Sequence, residues 1–241
     1  MTTSQSQGSA RFKDHPKGML FLFFAEMWER FSFYGLRGLL MLYMTSQFGF
    51  SDTHAYGVFA AYFSLVYATP IVGGVIADRF LGNQKSIILG GVLITLGHLT
   101  LVIPGLIGFY LGLAFIVSGT GLFKANISTL LGQLYSKNDP RKDSGFTLFY
   151  MGINLGAVLA PLVCGYIGEV YGWHYGFGIA SIGMLAGLFT FVWGTKSFEG
   201  RGLSPRPQWL KESSFLSLSR EVWIYISCFA SVPVFAFFMT K

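Results

Sequence analysis

Glu26, Glu29 and Arg30 stand within five positions of one another inside an apolar and aromatic run, Leu20 to Gly35. At 100° per residue these three, with Phe33, Tyr34 and Arg37, fall within about 140° of a helix circumference, so they face one environment. Glu26 and Arg30 are i, i+4 and Glu29 adjoins the base, which makes pairing within the helix available. Burial favours the neutral carboxyl, whereas a neighbouring guanidinium favours the carboxylate. Two carboxylates sharing one arginine can therefore exchange between a proton-bound and an ion-paired state. That is the minimum equipment for taking up and releasing a proton; the alternative use is a static ion network that serves stability. A charge near a bilayer centre costs about 2.5–3.5 kcal/mol on insertion scales, and such groups mark ion or substrate routes.

Lys124 is a second cation in an apolar run, within Gly119-Thr-Gly-Leu-Phe-Lys-Ala-Asn-Ile-Ser128. A lysine there needs a counter-charge or an altered protonation state. Among Glu26, Glu29, Arg30, Arg37 and Lys124 the bases outnumber the acids by one, so an anionic substrate group such as a carboxylate can complete the set. Snorkelling of Lys124 to the membrane surface is the other solution. Asp78-Arg79 follows a Gly-rich approach, Gly73-Gly74, and precedes Gly82 and Lys85. An acid at a helix end beside a tight glycine turn and flanking bases suits a conformational latch, and Asp78 and Arg79 are its candidate members.

Other reactive types carry little. Cys164 and Cys228 fall in apolar runs without zinc-like spacing, and ordinary packing accounts for them. His98 is a lone histidine in an apolar run; His15, His54 and His174 show no ligand spacing. No phosphate loop, nucleophile elbow or zinc motif occurs in the sequence. The expectation is therefore no enzyme, no metal site and no cofactor, with the proton as coupling ion.

The elements that position these groups are membrane spans. Only 12% of residues are charged and 52% are hydrophobic, against about 25% charged in soluble domains. Seven apolar stretches of bilayer-crossing length lie near 19–44, 55–78, 86–104, 106–131, 145–168, 174–194 and 221–239. The division is a cytosolic tail over 1–18, a six-helix bundle over 19–194, a cytosolic linker over 195–220 and a seventh hydrophobic segment over 221–239. The tail lacks the apolar core of a signal peptide. Short loops make consecutive spans antiparallel. Gly152 and Gly156 have the small-xxx-small spacing of close helix contacts, and Pro161 permits a bend.

Basic residues collect on alternate connections: Arg11, Lys13 and Lys17; Arg79 and Lys85; Lys137, Arg141 and Lys142; Lys196, Arg201, Arg206, Lys211 and Arg220. The intervening loops have none, which places the N-terminus in the cytoplasm. The net charge of +6 thus reflects topology, and no nucleic-acid partner is expected.

Three segments together resemble the proton-dependent oligopeptide transporter family of the major facilitator superfamily: Glu26-Met-Trp-Glu29-Arg30-Phe31, Phe123-Lys124-Ala-Asn126-Ile-Ser128 and Phe149-Tyr150-Met-Gly-Ile-Asn154-Leu-Gly156. The resemblance covers nearly all of 19–194. It implies an all-α integral membrane fold, here the N-terminal six-helix bundle of a major facilitator plus one further hydrophobic segment. It implies proton coupling by Glu26, Glu29 and Arg30, and capture of a peptide carboxylate by Arg37 and Lys124. Tyr34, Tyr67, Tyr150 and Asn154 match positions that line the peptide site. The implied activity is proton-driven symport of di- and tripeptides across an inner membrane by alternating access. Related readings are symport of another small anionic solute, or an incomplete fragment that does not transport.

Two local departures stand out. Phe33-Tyr34 replaces the family's usual pair of tyrosines, and Ala60 stands where mammalian members have a histidine, which leaves coupling to the helix-one carboxylates. The family also has a second six-helix half, which holds the groups for the peptide's amino end. The segment Val222 to Met239 resembles the first of an extra helical pair that follows the first half in bacterial members.

Overall fold

The computed structural model describes residues 14–214 and 217–240; Arg11 and Lys13 of the tail lie outside them. The described chain is helical, apart from turns and one isolated antiparallel bridge between Ser213 and Ser219. The spans are α1 (Lys17–Gln47), α2 (Asp52–Ile76), α3 (Asn83–Val102), α4 (Leu106–Gln133), α5 (Lys142–Ala160) with α6 (Tyr166–Tyr171), α7 (Trp173–Gly194) and α9 (Arg220–Met239), while α8 (Pro207–Lys211) is a short turn of helix in the linker.

Local chemistry sets the boundaries. Pro16 precedes α1, where its fixed φ suits a helix start and its missing N–H costs nothing. The Ser51 hydroxyl accepts from the His54 amide at 3.3 Å and caps α2, as Ser219 caps α9 through Val222. Gly82, at φ +77°, separates α2 from α3; a side chain there would be strained and would press on the Leu203 carbonyl. Pro161 lacks an amide to continue the α-helical ladder, and the fifth span passes through a π turn, Pro161–Gly165, before resuming as α6.

Six described helices are long and apolar enough to cross a membrane. The first of the seven expected spans, α1, has the length, 31 residues, but carries Glu26, Glu29, Arg30 and Arg37. The groups of chemical interest are what lower its apolarity. Around the bundle α1 packs against α5 and α7, α7 against α3, α3 against α4, and α4 against α2, while α1 touches α2 more lightly. The extra helix α9 leans on α4 and α2. Whereas α4 is mostly buried, α2 and the fifth span leave apolar side chains exposed, among them Ile71, Val72, Val158 and Leu162. Lipid or a second bundle can cover such faces.

The linker folds back on the α2–α3 turn. Trp209 of α8 stacks on Phe80 with ring centroids 5.1 Å apart. The Ser204 hydroxyl donates to the Phe80 carbonyl and the Gln84 amide to the Gly202 carbonyl. Lys85 pairs with Glu221 at 2.5 Å. At the start of α1, His15 Nδ1 lies 2.9 Å from the Tyr135 hydroxyl. Burial, then Arg141, holds His15 below its usual range, and burial pushes Tyr135 up to about 12. Asp139 is pushed down to about 2 by hydrogen bonds from the Arg141 side chain and backbone.

Candidate functional site

The ion group of α1 forms as its spacing predicts. Arg30 grips Glu29 with two parallel bonds, Nε to Oε2 at 2.5 Å and Nη2 to Oε1 at 2.6 Å. The same Nε lies 3.2 Å from Oε1 of Glu26. All three side chains are at least nine-tenths buried, and Arg30 also lies over the Phe33 ring, 4.8 Å from its centroid. The two acids are held unequally. Glu29 has both oxygens bonded by Arg30, while Oε2 of Glu26 is buried without a hydrogen-bond partner among the described residues. A buried pair of this kind keeps its charges only with good geometry, which the forked Arg30–Glu29 contact provides.

Glycines let the neighbouring backbones reach α1 at this level. A Cβ on Gly156 would stand 2.3 Å from the Met27 carbonyl oxygen and 3.1 Å from Arg30 Cβ; Gly152 abuts Phe23. Gly183 and Gly187 of α7 repeat the same spacing against Phe31, Trp28 and Ala25. This second pair carried the same i, i+4 signal as Gly152 and Gly156, but lay among enough glycines to pass unmarked.

The two remaining cations meet rings. Arg37 is exposed, with its guanidinium carbon 5.6 Å from the Phe63 centroid and 6.0 Å from that of Tyr34. Lys124 is half-buried, its Nζ 4.3 Å from the Tyr67 centroid. Among the described residues no carboxylate forms an ion pair with either. Lys124 is near enough to Glu26, Glu29 and Arg30 to interact electrostatically, so it belongs to the same field.

A buried amide network fixes α4 beside α2 and α3. Asn126 donates to the Leu122 carbonyl at 2.7 Å and the Gly73 carbonyl at 3.3 Å, and accepts from Asn83 at 3.1 Å; Gln133 donates to Asn83 at 3.0 Å. Gly73 meets the Gly121 backbone so closely that any side chain would collide. Lys124 is thereby held on a helix in close backbone contact with α2.

The other expected residues are less engaged. Tyr150 and Asn154 project from the exposed face of α5, and Tyr67 is 61% exposed beneath Lys124. Asp78 and Arg79 sit exposed on the π turn Ala77–Leu81, without an ion pair among the described residues. Sequence reasoning missed Phe63, which lies under Arg37, and Tyr62, whose buried hydroxyl has no partner among the described residues. Nothing in an apolar stretch of α2 distinguishes a tyrosine that faces charge from one that fills space.

A POT family model matches residues 84–223, more than half of the chain. The chain belongs to the POT family. This POT chain is 46% identical over 209 residues to an uncharacterized transporter, YclF, of Bacillus subtilis (strain 168), an alignment covering 84% of the chain and 42% of that relative. It is 44% identical over 191 residues to a di-/tripeptide transporter of Lactococcus lactis, with 76% and 38% covered. A crystal structure of a POT family transporter in complex with a thioalcohol-conjugated peptide superposes with a TM-score of 0.80 at 36% identity, covering 95% of this chain and 47% of that one. The POT chain thus spans about half the length of the relatives it matches, and its helices form an all-α membrane bundle of the major facilitator type.

Proposed function

We propose that this chain is the N-terminal half of a proton-coupled symporter of di- and tripeptides that works by alternating access. The observation that carries the reading is a pair of unlike charged parts: a Glu26–Glu29–Arg30 group paired within its own helix, and two cations, Arg37 and Lys124, that have no ion-paired acid among the described residues. Glu26 Oε2 has the free position for an incoming proton. Neutralising Glu26 removes one of the two charges that hold Arg30 and loosens the group. Arg37 and Lys124 take the peptide carboxylate, and the ring faces beneath them hold each cation without neutralising it. Tyr34, Tyr67, Tyr150 and Asn154 line the peptide, whose backbone their hydroxyls and amide can bind without reading side chains.

The exposed Asp78 and Arg79 act as a latch between conformations. A second six-helix half covers the face of α2 and α5 and supplies the groups for the peptide's amino end. The basic connections set the N-terminus on the cytoplasmic side of an inner membrane. The proton is the coupling ion, and no further cofactor or nucleic acid takes part.

Uptake of a labelled dipeptide by the full-length protein in proteoliposomes tests the reading. Saturable uptake driven by an inward proton gradient, abolished by a protonophore and competed by unlabelled di- and tripeptides, supports it. Because two cations over rings recognise a carboxylate generically, uptake that small anions compete and peptides do not would assign a different cargo. Uptake indifferent to the gradient would remove the coupling role.

A further inference from the structure

Tyr62 of α2 is 1% exposed, and its hydroxyl has no hydrogen-bond partner among the described residues. Buried hydroxyls almost always have one, so an exception calls for a physical reason. In the conformation described, phenylalanine would fill the same space without an unpaired polar group.

The surroundings supply the reason. Tyr62 packs edge-on against Phe63, with centroids 5.1 Å apart, and Phe63 against Phe33 at 5.7 Å, the ring over which Arg30 lies. Its hydroxyl is within electrostatic reach of Glu29 and Arg30. Besides Tyr62, the groups within electrostatic reach of the two carboxylates are Arg30 from α1 and Lys124 from α4, while Tyr34 of α1 is within reach of Arg30. From α5 and α7 the approach at this level is through glycine. Tyr62 is thus the neutral group in this set that comes from α2, and a phenol both donates and accepts.

We propose that Tyr62 is a positioning residue of the proton-coupling site, its hydroxyl holding the Glu29 carboxylate in the state in which Arg30 has released it. The phenol keeps its proton and donates a hydrogen bond to an oxygen that Arg30 vacates. In the conformation described, Arg30 occupies both Glu29 oxygens, which is why the hydroxyl waits without a partner. The inference rests on the proton-coupled reading above.

Tyr62→Phe removes the hydroxyl alone and tests this in the full-length protein. Gradient-driven uptake is expected to fall about tenfold, the scale of one hydrogen bond to a charged group, with a displaced pH profile. Peptide exchange without a gradient should stay within about twofold and the thermal midpoint should hold, since a bond absent from this state cannot be lost from it. Unchanged driven uptake with an unchanged pH profile overturns the proposal. So does an equal loss of driven uptake and exchange, or a lowered midpoint, because each would mean a binding or packing role. An infrared titration of the protonated-carboxyl band needs no substrate. A band whose midpoint moves in Tyr62→Phe sustains the proposal even where the unsubstituted protein carries no peptide, and a band that does not move overturns it.

Discussion

The two charged regions of α1 differ in how their charges are answered. Around Arg30 the chain supplies its own counter-ions, two carboxylates on the same helix, and seals them from solvent. Two turns further along, Arg37 lies against the rings of Tyr34 and Phe63, and Lys124 on α4 lies over Tyr67, neither in an ion pair among the described residues. A buried ion group that is paired within itself is sensitive to the loss of any member, because the remaining charges are stranded. A cation over a ring, partly exposed, has little to lose until an anion arrives. On the proposed reading, the first region would carry stability together with proton chemistry, and the second would carry affinity for the substrate anion.

Arg30→Gln tests the contrast most severely. It strands two buried carboxylates and should lower stability by about 3–5 kcal/mol, read as a fall in thermal midpoint of the detergent-solubilised full-length protein. A midpoint unchanged from the unsubstituted protein would erase the distinction. Lys124→Gln should leave that midpoint nearly intact yet weaken binding of a dipeptide by about 2–3 kcal/mol, some 30- to 150-fold, in a direct binding titration. A large loss of stability there would move Lys124 into the first region.

Gly156→Ala probes the backbone beneath Arg30. Its Cβ meets the Met27 carbonyl and Arg30 Cβ, and overpacking of this kind should cost about 1–2 kcal/mol in the same melt. Gly165→Ala, a position facing open space, is the matched substitution expected to cost little. The smallest effect lies away from both regions, at the tail. His15 is held below its ordinary value of 6.5 by burial and by Arg141, so docking of the tail on Tyr135 favours the neutral imidazole. That contribution is complete above pH 6.5 and fades as pH falls below it. Protection factors at the start of α1, that is, exchange rates corrected for their intrinsic pH dependence, should fall by a few-fold between about pH 7.5 and about pH 5.5, and His15→Ala should remove the dependence.

Much of this was legible in residue order. Apolar run lengths located the long helices, and helical periodicity put Glu26, Glu29, Arg30, Tyr34 and Arg37 on one face, because spacing along a helix is a local property. The excess of one base over acids also needed only counting. The inequality between the two acids was not legible. Both are within reach of Arg30 by spacing, and only the side-chain geometry decides that Glu29 receives the forked contact while Glu26 keeps an open oxygen. Lys124 had two possible solutions, and the structure places it over the Tyr67 ring on a helix that the Asn126–Asn83 bond ties to α3 and the Asn126–Gly73 bond and Gly73–Gly121 contact tie to α2.

What the sequence determined by itself was the inventory: the spans, the charged face of α1 and the types of group available for proton and carboxylate chemistry. What only the tertiary structure decided was partnership across helices. Tyr62 near the ion group, Phe63 under Arg37, the glycine faces of α5 and α7 against α1, and the linker folded on the α2–α3 turn all join residues far apart in the chain. The physical reason is that hydrophobicity says that a helix will be buried but is non-directional. Which side chain meets which is settled by close packing between particular surfaces.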